Sequence, residues 1–206
     1  MIRVVNATLG YGDTPILKDV NIEFRDGVTI VIGENGSGKT TLCKSISGLL
    51  KPISGEILVD DRDLYIDQEA MKKVVYVHES PVILRKTVWE NIIYGLRVRG
   101  LDLEEAYKLV KEFKLENILD EDARKMSAGY KKLISILRAL AIEPEHLVLD
   151  EPFNHLDQRF KSRLIERLTE LGRDGHAIIL TTHQRDILDI SKFIYELRDG
   201  GVAIIK

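Results

Sequence analysis

A chain of 206 residues has room for one α/β domain with a substantial core, and its 44% apolar and 31% charged residues exclude a disordered protein. A net charge of −3 gives no nucleic-acid footprint, so no nucleic-acid partner is expected. The single cysteine, Cys43, excludes an internal disulfide and fits a reducing compartment, and no apolar run approaches the ~20 residues that cross a bilayer. The start, MIRVVNATLGYGD, lacks the apolar core of a secretory signal, which predicts a cytosolic protein.

The first regular pattern is the alternation in ILKDVNIEF, after which RDG turns the chain into Val28; this predicts an antiparallel hairpin near the start. Continuous apolar runs at Val28–Ile32, Val74–Val77, Leu147–Leu149 and Ala177–Leu180 read as strands buried on both faces. Helical patterns follow Lys39 and occupy Leu103–Phe113, Tyr130–Ala141 and Gln158–Leu171, and GGVAIIK reads as a last short strand. From about Thr87 to Leu140 there is helical pattern and no strand signal, as in an insertion. The expected fold is α/β, a mostly parallel sheet with an N-terminal antiparallel β subdomain. Residues 1–206 read as one domain, with 1–86 and 141–206 forming the core and 87–140 an inserted helical subdomain.

VTIVIGENGSGKTTL carries the strongest chemical signal. Gly33, Gly38, Lys39 and Thr40 fit G-x-x-x-x-G-K-[ST] with a buried strand before and a helix after, which makes the core that of a P-loop NTPase. Glycines at 33, 36 and 38 let successive N–H groups turn inward on an anion, and the helix start adds its partial positive charge. Gly33, Asn35, Gly36, Ser37, Gly38, Lys39, Thr40 and Thr41 are the expected nucleotide-binding residues, Lys39 on the β and γ phosphates and the Thr40 hydroxyl on Mg²⁺.

EHLVLDEPFNHLD ends an apolar strand in Asp150-Glu151. Asp150 suits the Mg²⁺ shell, and Glu151 suits the task of orienting and deprotonating an attacking water. HAIILTTHQ ends a later strand at His183, which either meets the γ-phosphate or has a structural partner.

Phosphate loop, acidic pair and histidine, each ending a buried strand, resemble the ATP-binding-cassette (ABC) family over nearly the whole chain. The resemblance implies ATP and Mg²⁺ as cofactors, Glu151 and His183 as catalytic residues, FNHLD as the loop that follows Glu151, and Tyr11 as an adenine-stacking ring. Tyr11 is otherwise a loop tyrosine without a ligand. It further implies a second ATPase subunit, so that the signature of one copy, here Ser127, Ala128 and Gly129 in MSAGY, caps the ATP of the other. A membrane permease would be the other partner, with the chain peripheral on the cytoplasmic face of the membrane and Trp89 and Tyr94 near the docking place. Packing within the helical region is the alternative for Trp89.

Two departures stand out. VVYVHESP places Glu79 where the family has a glutamine; it either ligates Mg²⁺, adding negative charge beside the triphosphate, or faces away. In MSAGY, Ser127 is expected to cap the following helix and Gly129 to allow close approach, while Ala128 and Tyr130 replace a glycine and a polar residue. The expected function is the ATP-hydrolysing subunit of a transporter. A soluble ATPase acting on a ribosome or nucleic-acid machine and a non-hydrolysing nucleotide-binding module are the alternatives.

Overall fold

A computed structural model describes residues 1–206. In chain order the elements are β1 (Ile2–Tyr11), β2 (Thr14–Phe24), β3 (Gly27–Gly33), α1 (Lys39–Ile46), β4 (Ser54–Val59), β5 (Arg62–Asp63), α2 (Gln68–Lys72) and β6 (Val74–Val77). Then come α3 (Val88–Ile92), α4 (Tyr94–Arg99), α5 (Glu104–Phe113), α6 (Ala128–Leu140), β7 (His146–Leu149), α7 (Gln158–Arg173), β8 (Ala177–Thr182), β9 (Phe193–Arg198) and β10 (Gly201–Ile204).

The strands form two sheets. One, of order β2-β1-β4-β5, is antiparallel. The other, of order β10-β9-β3-β8-β7-β6, is parallel except for β10, which returns antiparallel to β9. Alternate residues of β3 explain how this sheet is covered. Val28, Ile30 and Ile32 enter a core shared with α3 and α5–α7, whereas Val31 enters a second core shared with α1 and the antiparallel sheet. A strand covered on both faces has no polar side to show, hence its unbroken apolar run.

That covering also corrects the expected hairpin. RDG does not fold β2 back onto β3; β2 pairs with β1, and the hairpin turns at Gly12 and Asp13. Gly27, at φ 105, instead passes the chain from one sheet to the other. β2 alternates because one of its faces meets solvent, so the two runs on either side of RDG belong to different layers.

Because β6, β7, β8 and β3 are parallel, Glu79, Asp150-Glu151, His183 and the loop after Gly33 all follow the carboxyl ends of their strands at one edge of the sheet, where open α/β sheets place ligands. Between residues 88 and 140 the regular elements are helices, α3 to α6, with an isolated bridge between Thr87 and Asp122. Thr87 and Glu90 form a reciprocal capping box at the start of α3, a local signal worth about 1 kcal/mol that marks where this helical stretch begins.

Candidate functional site

A cavity of about 430 Å³ is lined by Asn35, Gly36, Gly38, Lys39, Thr40, Thr41, Glu79, Asp150, Glu151 and Ile16. Its floor is the loop between β3 and α1. Gly36 (φ 82) and Gly38 (φ 101) hold left-handed backbone that a side chain would strain, and Gly38 starts α1 without any side-chain cap. The helix therefore offers its first N–H groups to the cavity, the arrangement that binds phosphate. At Gly33 a Cβ would lie 2.4 Å from Ser37 Oγ and 2.9 Å from Leu197 O, so the loop closes only over glycine. The Lys39 ammonium donates to the carbonyl oxygens of Gly33 (2.8 Å) and Glu34 (3.0 Å) and stands 3.7 Å from Glu151 Oε1.

Asp150 and Glu151 are 1% and 7% exposed. A carboxylate so deeply buried needs donors, and Asp150 has three hydroxyls: Thr181 on Oδ1 (2.7 Å), Thr40 (2.7 Å) and Tyr76 (3.2 Å) on Oδ2. Thr181 also accepts the Glu151 N–H at 3.0 Å, so one hydroxyl orients both acidic residues. Glu151 has φ 45, an uncommon backbone for a residue with a side chain; such strain gathers at functional sites. Its Oε2 lies 3.1 Å from Nδ1 of His183, which is 54% exposed on its side chain. His183 thus touches the acidic pair directly.

Glu79 is among the residues lining the cavity, together with Asp150 and Glu151. Behind it, and 1% exposed, the Lys132 ammonium of α6 donates to the carbonyl oxygens of Glu79 (2.8 Å), Asp150 (3.1 Å) and His78 (3.3 Å). Burial pulls this ammonium down to about 8, while the carboxylates of Asp150, Glu79 and Glu151 push the other way. Lys132 ties α6 to the two strand ends that carry acidic groups.

The residues present suit a hard divalent cation with a triphosphate: a hydroxyl and a buried carboxylate 2.7 Å apart, beside an uncapped helix start.

Comparison with known proteins agrees with this geometry. The family model described as "ABC transporter" matches residues 17–154. The chain belongs to the ABC transporter family. It is an ATP-binding, ATP-hydrolysing subunit of that family. It is 34% identical to a putative ABC transporter ATP-binding protein of Archaeoglobus fulgidus, over 98% of this chain and 73% of that one. It is 35% identical to the energy-coupling factor transporter ATP-binding protein EcfA1 of Thermotoga maritima, over 98% and 80%. The solved structure of an ATP-binding subunit of an ABC transporter superposes with a TM-score of 0.90 at 29% identity, over 100% of this chain and 90% of that one.

The stretch expected to be the signature lies apart from the cavity, which none of Ser127, Ala128 and Gly129 lines. Ser127 is the N-cap of α6, its hydroxyl accepting from the Tyr130 N–H at 3.4 Å, and Ser127 and Ala128 are exposed. Gly129 permits a close approach inside the chain: a Cβ there would stand 2.6 Å from the carbonyl oxygen of His155, in the loop after Glu151. Tyr130 turns its ring edge-on to Phe160 of α7, 5.3 Å between centroids, so its bulk is used in packing.

Tyr11 is 46% exposed at the end of β1, linked to α1 by Lys44, which donates to its hydroxyl at 3.4 Å. It does not line the cavity; Ile16, across the hairpin, does. Trp89 packs on Tyr107, 4.7 Å between ring centroids, the alternative named for it, and Tyr94 is exposed. The sequence reading missed Ile16, Tyr76, Lys132 and Thr181. Only Thr181 carried a signal, a hydroxyl at the end of a buried strand beside the acidic pair.

Proposed function

We propose that this ABC subunit binds ATP with Mg²⁺ in the cavity between Gly33–Thr41 and Asp150–Glu151, hydrolyses it with Glu151 as base, and drives a separate membrane permease. The observation that carries this reading is the convergence of loop, buried aspartate and strained glutamate on one cavity. Thr40 and Asp150 would hold Mg²⁺, with Glu79 at the wall beside them, and the ion would offset charge on the phosphates. Lys39 binds phosphate once its ammonium leaves the loop carbonyls. Glu151 takes the proton of the attacking water, and His183, 3.1 Å away, fixes which way its carboxylate points. Tyr11, just outside the cavity, would be the platform for the base, and Ile16 an apolar contact in the cavity lining.

The exposed Ser127 and Ala128, with Gly129, cap the ATP of a second copy, so the working unit is a dimer. The chain acts as one cassette in which residues 87–140 are the helical subdomain. No helix is long and apolar enough to cross a membrane, and the permease would hold the subunit at the cytoplasmic face. A largely apolar groove of about 390 Å³ between β6 and α6, lined by Leu49, Val75, Val82, Ala139 and Ile142 among others, supports this reading as a seat for a permease segment.

The test is single-turnover hydrolysis by wild type and Glu151→Gln. The variant should keep ATP and lose about 10²- to 10⁴-fold in rate. Equal rates would remove Glu151 as the base.

A further inference from the structure

Asp150 is the only carboxylate of the site held by hydroxyl groups from three separate elements, and one of those hydroxyls belongs to Tyr76 of β6. The contact follows from strand register. Tyr76 stands beside Val148 in the parallel β6–β7 pair, and Asp150, two residues on, faces the same side of the sheet. The backbone N–H of Asp150 donates to Val77 O at 3.0 Å, which locks that register up to the end of β7. A tyrosine ring spans the diagonal to the carboxylate, where an aliphatic side chain would end short of it.

The three hydroxyls are not equivalent. Thr40 is itself placed to hold the cation, so its oxygen serves two partners. Thr181 is committed on both sides, donating to Asp150 Oδ1 and accepting from the Glu151 N–H. Tyr76 alone has its donor aimed at Asp150 with no further duty toward metal or base.

We infer that Tyr76 is a positioning residue for the metal-holding carboxylate: its hydroxyl fixes Asp150 Oδ2 in the direction that a cation at Thr40 needs. This inference rests on the proposed Mg²⁺ role of Thr40 and Asp150. Tyr76 also lines the groove between β6 and α6, with its ring edge-on to His78 at 5.9 Å, so the residue that orients the metal-holding group lies in the wall of that groove as well.

Tyr76→Phe removes the oxygen and leaves the ring, so the fold is retained. Binding of the non-hydrolysable analogue AMP-PNP is measured in a Mg²⁺ titration and in EDTA, with the melting temperature of the ligand-free proteins beside it. The Mg²⁺ concentration for half-maximal binding should rise about three- to ten-fold, while affinity in EDTA stays at the wild-type value. A Mg²⁺ dependence equal to that of wild type would overturn the inference alone. So would an affinity that falls by the same factor with and without metal, since that is what a purely structural role produces. If wild-type affinity itself ignores Mg²⁺, the proposed metal role fails and the inference with it.

Discussion

The two ends of the catalytic apparatus are built in opposite ways. Around Asp150 and Glu151 the chain supplies its own partners: Thr40, Tyr76 and Thr181 on one carboxylate, Lys39 and His183 beside the other, and almost no exposure. Around Ser127 and Ala128 the chain supplies a capped helix start that faces solvent and lies outside the cavity. The first region is finished within one copy; the second, in the proposed dimer, would act on the ATP of the other copy. Under that proposal, a helix start turned away from the chain's own phosphate cradle would complete its partner's in a symmetric pair.

The self-sufficient region is most sensitive at Thr181. Thr181→Val keeps shape but removes the hydroxyl that serves both acidic residues, leaving the Glu151 N–H and Asp150 Oδ1 without it. Single-turnover hydrolysis should fall about 10- to 100-fold, the rate equivalent of losing a buried hydrogen bond to a charged group. A rate within about two-fold of wild type, roughly the scatter of such measurements, would mean that Asp150 and Glu151 are held by other means. Gly129→Ala sharpens the other side. Its methyl group meets the His155 carbonyl, so the melting curve should show a loss of about 1–3 kcal/mol, while ATP binding by the monomer is retained. An unchanged melting curve would free Gly129 from its contact inside the chain and leave it to the second copy alone.

The two regions were also unequally legible in the sequence. Gly33–Thr40 and Asp150-Glu151 could be read because phosphate binding and water activation demand fixed residue types at strand ends, and four buried strands announce themselves as apolar runs. Ser127 as a helix cap was equally plain. What escaped was everything set by layer or register. β1 went unread because Asn6 (φ 45) and register shifts between Val4 and Ala7 and between Ala7 and Leu9 break its alternation. β4 opens with exposed Ser54-Gly55-Glu56, which resembles a turn. Tyr76 and Lys132 lie inside a strand and a helix whose patterns are ordinary; their importance depends on which strand lies next to β7 and on how α6 crosses the strand ends. Glu79 was recognised as a departure, but its orientation depended on the same packing.

The division between a self-sufficient cradle and an outward-facing cap is tested most directly by ATP-driven association. Glu151→Gln, loaded with ATP, is compared by sedimentation with the double variant Glu151→Gln/Ser127→Arg, and ATP binding is measured on both. The account predicts a dimer for the first and a monomer for the second, with monomer affinity for ATP the same in both, because Ser127 lies outside the chain's own cavity. A double variant that still dimerises, or one that loses ATP as a monomer, would contradict it.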